Sequence, residues 1–227
     1  MDILFDISEL KCNRILVVGE LNGDYDALIR LLYQQRFTHA DVLISIGNFI
    51  NLDDSPEKSM ELTTFLRNSV NCFSVRGYLE NKFLKDIQNP EKVLEINKKL
   101  GSKINDQIVN YVQELPLVIK YRDYLIMNAG LVPSKSFDEQ DPEVFYSIGE
   151  YDKDSRFYKD SKDESSWYNT EYIMKGKHTK ICFGNIYLSN IEVPAGYNLG
   201  RIKNPPSELR SLVIEKTLPQ PIIVTTQ

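Results

Sequence analysis

Residues 15–32, ILVVGELNGDYDALIRLL, read as a buried strand, a glycine-bounded loop and an amphipathic helix within one short stretch. Ile15, Leu16, Val17 and Val18 form a continuous apolar run, the pattern of a strand covered on both faces, and Gly19 stops it. Tyr25, Leu28, Leu31 and Leu32 then recur at helical spacing, with Asn22 or Asp24 placed to cap the first turn. The design repeats downstream. Residues 41–47, DVLISIG, form a second glycine-ended strand, and Ser55-Pro56-Glu57 starts a helix running to about Asn68. Residues 70–77, VNCFSVRG, form a third such strand, followed by a helical region over about 81–113 that Pro90 and Gly101 break. Strands alternating with helices predict an α/β sheet whose ligand-binding loops lie at the carboxyl ends of the strands.

The second half changes character. Residues 116–121 and 124–130 read as a hairpin turning at Arg122-Asp123, and 180–184 and 209–215 as further strands with few long helices between them. A second, more antiparallel sheet is the expectation. A charged excursion over about 150–166 interrupts it: in 150–164, EYDKDSRFYKDSKDE, ten of fifteen residues are charged. That composition predicts a solvated loop, with Tyr151, Phe157, Tyr158 and Trp167 as aromatic anchors if it docks a partner. The proline-rich tail, about 217–227, reads as an extended surface segment.

Composition sets outer bounds. The 227 residues contain no Pro/Gly/Ser-rich linker and read as a single domain, 1–227. A formal charge of -5 argues against non-specific nucleic-acid binding. No apolar run approaches the ~20 residues that span a bilayer, and MDILFDISELKCNR at the start lacks the plan of a secretory signal, so a cytoplasmic location is expected. Cys12, Cys72 and Cys182 suit a reducing compartment as small core residues, and Cys72 and Arg76 are too close on one strand to embrace a phosphate loop.

The loops after the strands carry the functional signal. GELNG, GNFINLD, RGYLE, NAGL and Gly184-Asn185 resemble, in order, the signatures of the metallophosphoesterases, closest to the ApaH-like (diadenosine tetraphosphatase-like) phosphatases. VRGYLENKFL, LPLVI, QDPEVF and LVIE follow the same text, so the resemblance covers most of the chain. It implies an α/β, calcineurin-like metallophosphatase fold, two packed mixed β-sheets flanked by helices. It also implies a site whose residues have been exchanged. Glu20 stands for the family's first Asp, Asn22 for its first His, Asn48 for the bridging Asp, Tyr78 for the metal-binding Asn, and Asn128 and Asn185 for two His ligands. Leu79 stands for the general-acid His, and Asn51 and Leu52 for a later Asp and Arg.

Two-metal hydrolysis needs carboxylate and imidazole ligands holding the ions ~3.5–4 Å apart. Of the six ligand positions only Glu20 brings a charge, and the two histidines, His39 and His178, lie outside every signature loop. The expectation is therefore a folded protein with no metal, no cofactor and no catalytic residue: a pseudophosphatase acting as a binding or structural subunit with a protein or ribonucleoprotein assembly. Arg76 matches a family arginine that contacts phosphate; it is expected to bond a backbone carbonyl or Glu80, with weak nucleotide or phosphate binding as the alternative. Asp24, Asp53 and Asp54 add negative charge to the same rim. A divergent phosphoesterase built on Glu20, Glu80 and Tyr78 is the third reading.

Overall fold

A computed structural model describes residues 3–147, 150–151, 157–158, 167–184, 190–200, 209–215, 218 and 220–226. In chain order its elements are β1 (Leu4–Asp6), β2 (Arg14–Val18), α1 (Tyr25–Gln34), β3 (Val42–Ser45), α2 (Pro56–Asn68), β4 (Cys72–Ser74), α3 (Tyr78–Asp86), α4 (Pro90–Leu100) and α5 (Asp106–Glu114). There follow β5 (Val118–Tyr121), β6 (Tyr124–Met127), α6 (Val144–Ser147), β7 (Glu150–Tyr151), β8 (Phe157–Tyr158), β9 (Tyr172–Met174), β10 (Lys177–Phe183), β11 (Glu192–Val193), β12 (Gly196–Asn198), β13 (Leu209–Glu215) and β14 (Ile222–Thr226).

Two mixed sheets pack face to face. One has the order β14-β13-β2-β3-β4, with β2, β3 and β4 parallel and β13 antiparallel to both its neighbours. The other has the order β1-β5-β6-β10-β12-β11, with β9 added antiparallel to β10. The alternation of a strand explains the continuous apolar run of β2: Ile15 and Val17 enter the core between the sheets with Ile44, Ile126, Cys182 and Leu212, while Leu16 and Val18 pack outward under α1 and α2 with Leu28, Leu31 and Leu62. A third cluster, with Leu125, Trp167 and Phe183, covers the outer face of the second sheet.

The helical region expected over 81–113 is three helices, interrupted where Pro90 occupies a first helical position and where Gly101 ends α4 in the left-handed conformation at φ 64°. Asp24, rather than Asn22, caps α1, accepting from the Ala27 N–H at 2.9 Å. Two expectations of sheet organisation are corrected. The second sheet is not mainly antiparallel, because β1–β5, β6–β10 and β10–β12 pair in parallel. Residues 209–215 join the first sheet, beside β2, instead of the second. Within the tail, Ile222–Thr226 pairs with β13 along its whole length. Its proline-free apolar run supplies the ladder hydrogen bonds that the flanking prolines cannot. Most of the charged excursion lies outside the described residues, apart from the backbone of β7 and β8. Among the described residues no helix is long and apolar enough to cross a membrane.

Candidate functional site

The carboxyl ends of β2, β3, β4 and β6 converge, so the loops bearing Glu20, Asn48, Tyr78 and Asn128 meet at one pole of the sandwich. Glu20, Asn48 and Asn128 are buried, with exposures of 5%, 3% and 0%. The Asn48 side-chain amide donates to Glu20 Oε1 at 2.5 Å, and its Oδ1 accepts the Leu79 N–H at 2.9 Å. Asn128 repeats the device: its amide donates to the Ile46 carbonyl at 2.9 Å and its Oδ1 accepts the Tyr78 N–H at 3.1 Å. Each asparagine has a donor on one side and an acceptor on the other, which fixes the orientation of its amide.

Asn22 is half-buried and belongs to the cluster through its backbone, its N–H donating to the Asn48 carbonyl at 2.7 Å. Both Asn22 and Asn48 take left-handed backbone conformations, at φ 50° and 55°, which asparagine tolerates better than most residues. Tyr78 contributes its N–H, while its side chain is 42% exposed. Asn185 lies outside the described residues; the preceding Gly184 donates its N–H to the Asn128 carbonyl at 2.8 Å. Leu79 lines a small cleft of about 130 Å³ with Ile50, Leu52, Phe83 and Ile96.

Glu80 is the residue whose role the sequence left open. It is fully buried, and its carboxylate accepts the N–H groups of Asn48 (2.7 Å), Phe49 (2.8 Å), Ile50 (2.9 Å) and Gly77 (2.9 Å). Burial pushes this carboxyl above its ordinary value against the downward pull of those four donors. It ties the loop after β3 to the start of α3, and a Glu three residues past the helix cap, placed to accept the cap residue's N–H, was the available signal. Glu80 is a structural anchor and has no free oxygen lone pair directed at a substrate pocket by these bonds.

Arg76 departs from expectation. Its guanidinium makes no hydrogen bond among the described residues, and Nε is buried without a partner. Glu80 is engaged by backbone and does not bond it; burial lowers the Arg76 pKa, with Tyr146 and Glu80 opposing. The acidic rim is also weaker than its sequence suggests. Asp53 sits between Lys99 Nζ (2.7 Å) and Lys82 Nζ (3.2 Å), bonds that hold its carboxyl below the ordinary range, and Asp54 accepts from the Asn51 amide at 3.0 Å. His178 pairs with Glu171 at the surface, 3.1 Å away, and His39 offers its backbone carbonyl to Asn71; neither joins the cluster.

The described residues of this cluster do not fit a two-metal centre. Both asparagine oxygens, the atoms through which an amide would ligate, are turned to backbone N–H groups. Among the described residues no three His, Cys, Asp or Glu side chains are grouped to hold an ion.

No protein-family model and no curated protein sequence matches the chain. Solved structures do. A protein provisionally assigned as a diadenosine tetraphosphatase is similar over 100% of this chain and 99% of its own, with a TM-score of 0.75 at 20% identity. A protein serine/threonine phosphatase from Saccharomyces cerevisiae is similar over 100% and 83%, with a TM-score of 0.59 at 17% identity. A metallophosphoesterase from Sphaerobacter thermophilus is similar over 94% and 88%, with a TM-score of 0.56 at 11% identity. With two mixed sheets packed together, helices outside them and a loop cluster at the strand ends, the chain has the calcineurin-like metallophosphatase fold.

Proposed function

We propose that the chain is a catalytically inactive pseudophosphatase that serves as a binding or structural subunit of a protein or ribonucleoprotein assembly. The observation that supports this is the amide pair Asn48 and Asn128, whose oxygens are committed to the backbone of α3 where a phosphatase needs ligands directed at metal. One remaining carboxylate, Glu20, cannot offset two divalent charges, and it is itself bonded to Asn48. Leu79 cannot donate a proton to a leaving group. The test is the metal content of the protein after dialysis against excess manganese and zinc. A value near zero ions per chain, with no phosphodiesterase or phosphomonoesterase turnover, supports the reading; a value near two overturns it. Partner association is expected to weaken on charge reversal or deletion within residues 150–164 without a lowering of the folding midpoint.

The second reading is a metal-independent binder of a nucleotide or phosphate, favoured by the unpartnered Nε of Arg76. It expects thermal stabilisation by inorganic phosphate or a dinucleoside polyphosphate that Arg76→Ala abolishes. Absence of stabilisation by either compound removes it.

A further inference from the structure

Building on the pseudophosphatase reading, and resting on it, we infer that the partner docks at the pole of the sandwich by delivering one carboxylate, from an Asp or Glu side chain, to Arg76. Arg76 is a cation without a counter-charge. Its side chain is half-buried, its guanidinium makes no hydrogen bond among the described residues, and Nε is buried without an acceptor. A guanidinium offers five N–H donors in a planar fork, and leaving a buried donor unmet is costly. Two side chains among the described residues act on its charge, Tyr146 and Glu80. Glu80 is committed to four backbone N–H groups and gives Arg76 no bond. Tyr146 is a neutral phenol at pH 7, since burial raises its pKa above the ordinary value. The positive charge is left for a group brought from outside.

Backbone bonds between separate loops build the place. The Arg76 N–H donates to the Pro116 carbonyl at 2.8 Å, the Tyr78 N–H to Asn128 Oδ1 at 3.1 Å, and the Ala129 N–H to the Phe145 carbonyl at 2.8 Å. Arg76, Tyr78 and Tyr146 are thereby carried on neighbouring segments around the 128–129 loop. The Tyr78 side chain is 42% exposed there. Arginine and tyrosine together are the residue types that most often anchor a protein interface.

Charge decides which anion suits the place. One guanidinium matches one carboxylate, charge for charge, and pairs with it through two parallel N–H···O bonds. A phosphate monoester brings roughly -1.5 to -2 charges and three acceptor oxygens, which call for further donors. The cations of the following helices do not supply them, because Lys82 and Lys99 are both bonded to Asp53. The amides of Asn48 and Asn128 are likewise spent, on Glu20 and on the Ile46 carbonyl. A free small acid would leave the ring of Tyr78 uncovered, whereas residues flanking a carboxylate in a polypeptide cover it.

NMR of the Arg76 Nε–H resonance in the full chain tests this, with the signal assigned by its loss in Arg76→Met and in Arg76→Lys. Acetyl-glutamate amide is expected to shift it saturably in the range of about 1 to 50 mM, and neutral acetyl-glutamine amide to leave it unmoved. Inorganic phosphate binds at least roughly tenfold more weakly than acetyl-glutamate amide, and acetyl-Ala-Phe-Glu-Phe-Ala-amide at least roughly tenfold more tightly. Tyr78→Ala removes most of the peptide's gain, and Arg76→Met abolishes binding of both carboxylate probes at an unchanged or higher thermal midpoint. An Nε–H signal that responds to neither carboxylate probe, or equally to the glutamine probe, overturns the inference. So does phosphate binding as tight as that of the carboxylate, or a peptide that binds no better than acetyl-glutamate amide. If Arg76→Met fails to fold, the glutamate and glutamine probes on the unmodified chain still decide. Metal content tests the premise separately: near-zero ions per chain without carboxylate binding leaves the pseudophosphatase reading standing and removes this one.

Discussion

The side chain of Asn48 stands between Glu20 and Leu79, donating to the carboxylate of the first at 2.5 Å and accepting the backbone N–H of the second at 2.9 Å. One neutral amide thus links the loop after β2, the loop after β3 and the start of α3. Asn48→Asp would set a second carboxylate against Glu20 in a buried place. The variant is expected to lose roughly 2–4 kcal/mol at pH 7. The loss shrinks as pH falls below about 5, where the pair holds a shared proton in the folded protein. Urea midpoints across pH check this, and millimolar manganese is expected not to restore stability at pH 7. Full rescue by manganese would show that the remaining groups still form a metal site.

Glu80→Gln changes one oxygen to an amino group facing backbone donors. A carboxylate can accept all four N–H groups, whereas a glutamine amide opposes some of them with its own hydrogens. A loss of about 3 kcal/mol or more in chemical denaturation is expected despite the near-identical shape. A neutral result would mean the carboxyl is already protonated and the loop is held by other contacts.

Gly77 touches the asparagine cluster most closely. A Cβ there would lie 2.6 Å from the Asn48 nitrogen, 2.7 Å from Asn48 Oδ1 and 2.8 Å from Asn128 Nδ2. At Gly184 it would meet the Ile46 Cδ1 tip at 2.6 Å and Glu20 Cγ at 3.0 Å. Side-chain ends yield more readily than backbone. Gly77→Ala is therefore expected to cost roughly 2–4 kcal/mol and Gly184→Ala about half as much, compared by urea midpoint.

Asp41 sets part of the acid limit. Against the upward push of burial, the Arg14 guanidinium 3.1 Å away and the Thr38 N–H hold its carboxyl below the ordinary range. A depressed folded-state pKa contributes stability above the ordinary value of 3.8 that is lost as pH falls below it. Asp6, held at about 2 by Lys120 and Ser8 against its own burial, loses its smaller, more exposed contribution between pH 3.8 and about 2. Asp41→Asn is expected to cost roughly 2–3 kcal/mol at pH 7, with the difference from the unmodified chain narrowing as pH drops below 4. Thermal unfolding of both proteins over that interval measures it.

Arg76 contributes little to the fold by its bonds. Since its Nε is buried without a partner, Arg76→Met is expected to hold or raise the urea midpoint, instead of the ~1–3 kcal/mol loss that follows removal of a bonded guanidinium. The same variant in phosphate separates a structural arginine from a ligand-binding one.

The repeated strand-loop-helix pattern was legible because its determinants are local. The apolar run of β2, the Pro56 start of α2 and the glycine break after α4 each lie within one element, and the resemblance that implied the fold needed only an ordered reading of GELNG, GNFIN, RGYLE and NAGL. Tertiary structure decided what lies far apart in the chain. Residues 209–215 look equally suited to either sheet, since a wholly buried strand carries no mark of its neighbour; packing against Ile15 and Val17 placed them beside β2. The short segment Leu4–Asp6 gained its place only by pairing with β5, and the tail became a strand only because β13 offered an edge. The neutral charge of Asn48 and Asn128 is thus a property of the sequence. The direction of each asparagine amide, the burial of Glu80 under four N–H donors and the unmet Nε of Arg76 are properties of the fold, because hydrogen bonds between distant residues depend on where the whole chain has brought their backbones.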